Sequence, residues 1–290
     1  MEEYVLNFRK NEVSYLEIYE YSELSKLKYN DIKMYIDKLD KIYIRNENNI
    51  RNLSKLLNND KRNNVKKLGE RLIRNYNIYV TEKNRVLKMY NFDHSFAEHT
   101  TIAGIDEVGR GPLAGPIVAA AVILKEPISD DDIILGLNDS KKLSPEKREL
   151  LEKQIIEKAL SFSIALRENT EIDDKGIAVC NNEIFIDACE GLKVTPDLVL
   201  TDGYPIRDYD KVKNIHVIKG DTKSAAIAAA SIIAKVYRDR LMHQYSNVYT
   251  EYAFESNVGY GSKGHIQAIK KYGVTPIHRR SFLTGILKEN

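Results

Sequence analysis

Asp106 and Glu107 stand side by side at the end of an apolar run, residues 102–105, and Gly109, Gly111 and Gly115 follow within eight residues. Adjacent side chains on a regular strand point to opposite faces, so two neighbouring carboxylates serve one site only where the strand ends or bends. Glycine permits that bend. Carboxylates at such an end are the hard oxygen ligands that Mg²⁺ or Mn²⁺ takes; a solvated strand end running into a turn fits the same residues. Asp202 follows the apolar residues 198–200 and precedes Gly203, as in a tight Asp-Gly turn. Asp221 follows residues 215–218 and precedes a helical stretch, where a capping residue would stand. Each is ordinary alone. Together the four sit where open α/β sheets bind ligands, at strand ends and strand-to-helix junctions. Asp239 is a rival fourth acid, although Lys235, Arg238 and Arg240 beside it favour a simple ion pair.

The glycines at 109–115 miss the dinucleotide-binding pattern, because Pro112 interrupts it and acids occupy the approach to any phosphate. Residues 259–264 fail as a phosphate loop, since His265 stands where Lys is required. Arg110, flanked by glycines, can reach a phosphate. Lys141 and Lys142 suit flanking phosphates or a solvated helix approach, and the basic run His278-Arg279-Arg280 suits substrate backbone or a helix end. The six histidines show no ligand spacing and read as structural.

The elements that must position these residues divide in two. All seven prolines and fourteen of the fifteen glycines lie beyond residue 100; Gly69 is the exception. A hundred residues nearly free of both breakers read as helical. Ile32, Tyr35, Ile36, Leu39 and Ile42 share one helical face, and Leu68, Leu72, Ile73 and Tyr76 repeat the pattern. Residues 41–90 carry 13 Lys/Arg against 4 Asp/Glu, a net of +9, while the whole chain of 290 residues is only +2. Lys61, Arg62, Lys66, Lys67, Arg71 and Arg74 fall at intervals compatible with one face. The expectation is a basic helical module over 1–95, raising substrate affinity without touching the chemistry, and a catalytic domain over 96–290. Deleting 1–95 would then raise KM and spare kcat.

In the second part, apolar branched runs at 102–105, 117–124, 162–166, 198–200 and 215–218 read as strands. Helices are expected at 145–160 behind Ser144, at 173–192, at 222–245 and at 265–272. The small residues 225–230 suit close packing on a sheet. The fold class is α/β, a mixed sheet flanked by helices behind a small all-α module. With 43% hydrophobic residues, no apolar run long enough for a membrane and two cysteines that form no framework, a soluble, intracellular, cytoplasmic protein is expected.

The blocks Asp106-Glu107-Val108-Gly109-Arg110-Gly111, Asp139-Ser140-Lys141-Lys142-Leu143-Ser144, Lys219-Gly220-Asp221, residues 228–235, Gly259-Tyr260-Gly261 and residues 278–282, in that order, resemble ribonuclease HII, the type 2 ribonuclease H family. The likeness covers residues 101–282 and leaves the helical module outside the common core. It implies a ribonuclease H-like fold and an endoribonuclease that cuts the RNA strand of RNA–DNA hybrids. It also implies incision 5′ of single ribonucleotides in duplex DNA, with two Mg²⁺ or Mn²⁺ ions, leaving 5′-phosphate and 3′-hydroxyl ends. By that resemblance the metal-binding and catalytic acids are Asp106 (the bridging ligand), Glu107, Asp202 and Asp221. Gly109, Arg110 and Gly111 match the loop that senses the ribose 2′-hydroxyl, Tyr260 the ring that packs on the junction sugar, and Lys141 and Lys142 join the substrate-binding set. The sister ribonuclease HIII family would carry another residue in place of Arg110. A monomer acting on hybrids and ribonucleotide-containing DNA is implied, with a replication clamp as an open partner. A non-catalytic hybrid-binding protein on the same fold is the alternative, and a nucleotide-dependent kinase is a third reading that lacks the required lysine.

Overall fold

The computed structural model describes residues 26–42, 47–96 and 101–287, with side chains beyond Asp37 in the first segment left undescribed. Two compact units divide it, Met1–Lys83 and Asn84–Asn290. Residues 84–95, grouped with the helical module on sequence grounds, therefore pack with the second unit.

The first unit is helical. Helices α1 (Tyr29–Ile42), α2 (Glu47–Asn58) and the start of α3 (Asn63–His94) bury Ile32, Ile36, Ile50, Leu57, Leu68 and Leu72 together. The Ile32 and Ile36 face is as expected; Leu39 and Ile42 lie outside the described side chains. Two arginines of the anticipated basic face turn inward. Arg62 pairs with Asp60 at 2.7 Å and donates to the Leu27 carbonyl at 2.7 Å. Arg71 pairs with Asp37 at 2.5 Å. Lys61, Lys67 and Arg74 remain exposed.

The second unit is built on a five-stranded sheet of order β3-β2-β1-β4-β5. Its strands are β1 (Ile102–Val108), β2 (Ile117–Leu124), β3 (Ala159–Arg167), β4 (Leu198–Asp202) and β5 (Lys213–Val217). Strands β1–β3 form an antiparallel meander, and β4 and β5 add in parallel to β1. The carboxyl ends of β1, β4 and β5 consequently share one edge of the sheet.

Helix α4 (Pro145–Lys158) starts behind Ser144, whose hydroxyl accepts from the Lys147 N–H as its cap. The helix expected at 173–192 is two, α5 (Asn169–Lys175) and α6 (Ile177–Glu190). Gly176 breaks it at φ 84°, a left-handed conformation that cannot continue a helix. Helix α7 (Ala225–Val248) begins three residues later than expected, capped by Ser224; Asp221 sits before it in a one-turn 3-10 helix, Gly220–Thr222. One sheet face packs on α4 and α7, and the other on α6. Residues 225–230 of α7 are all buried, as the small-residue pattern predicts. A Cβ at Gly104 of β1 would lie 2.1 Å from the Ala226 carbonyl carbon, so only glycine admits that approach of helix to strand.

The last turns of α3 complete this core. Val86, Met89 and Tyr90 are buried with β2, α4 and α7. Asp93 accepts from the Ala226 N–H at 3.0 Å, placing a carboxylate at the amino end of α7, where the helix dipole favours negative charge. Helix α8 (Lys263–Tyr272), capped by Ser262, packs on a one-turn helix, Phe254–Asn257, to form a carboxyl-terminal cluster with Met242 and Leu283.

Candidate active site

Asp106 and Val108 share the α7 face of β1, and Glu107 faces the other side, so the adjacent pair straddles the sheet end. Asp106 is 8% exposed and accepts from the Glu107 N–H at 2.7 Å. Ser231 of α7 hydrogen-bonds to its carboxylate, and Ser231 meets Ser140 at 2.9 Å. Parallel pairing sets Ile105 opposite Thr201, which brings Asp202 beside Asp106 one step on. Asp202 accepts from the Gly220 N–H at 2.7 Å, and that bond ties the end of β4 to the turn carrying Asp221.

The four expected acids are therefore neighbours, and their electrostatics say so. Burial holds the Asp106 carboxyl well above its ordinary range, with Glu107 and Asp202 adding to it. Burial also pushes Glu107 to about 7, opposed by Arg110 and reinforced by Asp202. Asp221 rises to about 6 through burial, Asp202 and Asp139, against Lys141 and Lys142. Asp202 acts on all three others. A buried carboxylate among like charges costs free energy as an anion unless a cation joins it. The Glu107 Oε2 atom is buried without a hydrogen-bond partner. All-oxygen donors with one orphan lone pair suit a hard divalent ion in kind. Among the described residues no three acidic, His or Cys side chains already converge as an ion cage. The site is an acidic mouth, not a closed shell.

Asp221 is not the helix cap, because Ser224 takes that place and accepts from the Ile227 N–H at 3.1 Å. Asp239 is not part of the mouth. It pairs with Lys235 at 2.8 Å and Arg148 at 3.2 Å, not with Arg238 or Arg240.

The loop after β1 is fixed from behind by two arginines that sequence reasoning placed elsewhere. Arg279 donates to the carbonyls of Gly109 (2.6 Å), Arg110 (3.0 Å) and Gly115 (2.9 Å). Arg238 donates to those of Ala114 (3.1 Å), Pro116 (2.9 Å) and Val258 (2.9 Å). Both are fully buried, and burial lowers them to about 9 and about 10. Arg279 therefore reaches no substrate. Gly109 adopts φ +96°, and a Cβ there would sit 2.4 Å from Arg238 Nε, so the room at this glycine belongs to Arg238. Gly111 is exposed and open, and the nearest atom to a Cβ there is Tyr260 Cε1 at 3.9 Å.

Tyr260 is 41% exposed, presented as expected, and its backbone is anchored by two histidines. The Thr275 N–H donates to His278 Nδ1 at 2.9 Å, His278 Nε2 meets His265 Nε2 at 3.0 Å, and His265 Nδ1 meets the Tyr260 carbonyl at 2.8 Å. These bonds form one consistent chain when both rings are neutral, with His278 protonated at Nε2 and His265 at Nδ1. Burial first, then His265, lowers His278 to about 4. The structural role expected of histidine holds for this pair. Lys141 and Lys142 are exposed on the far rim, where Asp139 accepts from the Lys141 N–H at 3.0 Å. Asp139, near enough to raise Asp221, was visible in sequence only as part of its block.

A family model described as ribonuclease HII matches residues 103–285. The chain belongs to the ribonuclease HII family. A ribonuclease HII of Clostridium perfringens is 57% identical over 243 residues, 83% of this chain and 88% of that relative. The crystal structure of ribonuclease H2 from Pyrococcus horikoshii aligns with TM-score 0.56 and 29% identity, covering 66% of this chain and 98% of that one. Ribonuclease HII in a complex with PCNA from Archaeoglobus fulgidus aligns with TM-score 0.55 at 24% identity, over 64% of this chain and 96% of that one, a likeness of fold. The mixed sheet flanked by helices is the fold of these ribonucleases, and this chain is a ribonuclease of the H type.

Proposed function

We propose that this ribonuclease HII hydrolyses the RNA strand of RNA–DNA hybrids and incises 5′ of single ribonucleotides in duplex DNA, at the mouth formed by Asp106, Glu107, Asp202 and Asp221. The observation that carries the reading is the gathering of acids, three with raised pKa values, around Asp202 at the strand ends, beside a loop locked from behind. Two bound Mg²⁺ or Mn²⁺ ions would supply an activated water and offset charge on the leaving oxygen, giving 5′-phosphate and 3′-hydroxyl ends. Asp106 and Asp202, adjacent in register, would hold the ions together with Glu107 and Asp221. Ser231 holds the Asp106 carboxylate in place. Arg110, half-buried at the rim and paired with Glu107 through Nη1, has further N–H donors to meet a phosphate, and Lys141 and Lys142 extend the positive rim.

RNA is told from DNA by its 2′-hydroxyl, which both donates and accepts. The open surface at Gly111, facing the Tyr260 ring, supports that contact, because nothing there obstructs a sugar. Exposed Lys61, Lys67 and Arg74 support hybrid binding by the helical unit. A replication clamp as partner draws support from the fold-level likeness to the Archaeoglobus protein. No described helix is long and apolar enough to cross a membrane. The free, buried Cys180 and Cys189 suit a monomer at work in the reducing cytoplasm.

Incision of a duplex holding one ribonucleotide tests the reading, with Mg²⁺ or Mn²⁺ titrated into pure protein. Asp106→Asn should lower the single-turnover rate roughly a thousandfold or more. Tyr260→Ala should chiefly impair the single-ribonucleotide substrate and spare long hybrids. Metal-independent cutting, or binding without any cutting by the parent protein, overturns it.

A further inference from the structure

The turn that delivers Asp202 also presents an aromatic ring. Tyr204 is 52% exposed, and the Arg110 guanidinium lies 4.5 Å from its ring centroid. An exposed tyrosine is unremarkable in itself; the rigidity of this one is not. Its N–H donates to the Asp202 carbonyl at 2.9 Å, and its carbonyl accepts from the buried Thr201 hydroxyl at 2.5 Å. Pro205 follows and restricts Tyr204 to extended backbone. Gly203 turns at φ +74° and donates to the Val217 carbonyl at 3.1 Å. The ring is thus mounted on the end of β4, two residues from a proposed metal ligand.

Arg110 lies between this ring and Glu107, with which it forms an ion pair, Nη1 to Oε1 3.6 Å. A π face holds a guanidinium by charge without consuming an N–H, whereas a carboxylate or carbonyl would take one or two. The difference decides what Arg110 can do. Arg238 and Arg279 donate to backbone carbonyls through every nitrogen and are committed, while Arg110 faces Glu107 through Nη1 alone and keeps its other N–H groups for a further partner.

We propose that Tyr204 is a positioning residue for substrate recognition: its ring fixes the Arg110 guanidinium at the site mouth while leaving the N–H groups for a nucleic-acid phosphate. The inference rests on the reading of Arg110 as a substrate contact and adds the group that aims it.

A double-mutant cycle in the full-length protein tests it, using steady-state incision of a duplex with one ribonucleotide. Tyr204→Ala should raise KM about two- to fivefold, with kcat within about twofold. Tyr204→Leu, which keeps bulk and removes the π face, should do the same, and Tyr204→Phe should restore the parent KM. In an Arg110→Ala background, Tyr204→Ala should add nothing. Equal effects of Tyr204→Ala with and without Arg110, failure of rescue by Phe, or an unchanged KM in Tyr204→Leu overturns the proposal while Arg110→Ala still raises KM. An Arg110→Ala protein with the parent KM overturns both the proposal and the reading of Arg110 beneath it.

Discussion

The two units of this ribonuclease hold their bracing guanidinium groups differently. In the helical unit the half-buried Arg62 and Arg71 are paired with carboxylates, Asp60 and Asp37; Arg71 joins α3 to α1 through that pair, and Arg62 reaches the Leu27 carbonyl besides its local pair. In the catalytic unit Arg238 and Arg279 are more deeply buried and donate to backbone carbonyls of residues 109–116 and 258. Burial lowers both pKa values, and the carbonyls satisfy the donors without supplying an opposite charge to offset it. The Arg71 pair holds two helices together; the carbonyl contacts hold the shape of the loop after β1. Arginine count is therefore a poor guide to where nucleic acid binds, because three arginines that look like phosphate contacts in sequence, Arg62, Arg71 and Arg279, are taken up as braces.

The sharpest way to break the contrast is to separate the units. A chain beginning at Asn84 keeps Val86, Met89, Tyr90 and Asp93 and should fold and cut with kcat close to the parent. A chain beginning at residue 96 loses them. Each large apolar deletion from a core costs about 2–5 kcal/mol, against a total stability of about 5–15 kcal/mol for a domain. Circular dichroism should therefore show no cooperative transition for the shorter chain. An equally stable chain from residue 96 would place those residues outside the catalytic core after all.

A smaller effect separates the acidic mouth from the rest of the catalytic unit. Glu107 titrates at about 7 in the fold against 4.5 ordinarily, so between those values the folded state holds the proton that the unfolded chain has released. Its contribution to stability is present below about pH 4.5 and lost as pH rises through about 7. In chelator, the melting-temperature difference between Glu107→Gln and the parent should thus grow in favour of the variant from pH 5 to pH 8. Mg²⁺ should restore the parent most at pH 8, and a flat difference across that range would remove Glu107 from the strained cluster.

The smallest expected change sharpens the comparison within the helical unit. Lys67→Glu with Arg74→Glu should raise KM and reduce the salt slope of hybrid binding by about 1–2, as expected for one or two lost phosphate contacts, without moving the melting temperature. Arg62→Gln with Arg71→Gln should do the reverse, lowering the melting temperature and leaving the slope alone. Identical behaviour of the two pairs would mean that burial does not distinguish them.

Much of this was legible before any coordinates. The alternation of branched runs and breakers gives the strands to within a few residues, and the acids at their ends are visible as types. Asp221 is instructive, because a residue before a helix fits a cap as well as a ligand, and only Ser224 in the cap position decides. The break at Gly176 was not legible, because a lone glycine inside a helical pattern is often tolerated and only its φ of 84° shows that the helix stops there. What sequence spacing could not carry is partnership across long separations. Nothing near Gly109 tells that its open side is filled by Arg238, and nothing in a basic tripeptide tells that Arg279 faces inward. The same holds for the domain division, since a helix that continues through two cores, as α3 does, leaves no punctuation at the change.

The Arg279 contacts run to carbonyls 164 to 170 residues earlier in the chain. A nascent polypeptide leaving the ribosome exposes its carboxylates and its glycine loop long before that guanidinium has been polymerised. The acidic mouth is consequently among the last parts of the protein to take shape, and a message cut short near its 3′ end yields a chain with every one of those acids and only the Arg238 half of the loop's bracing.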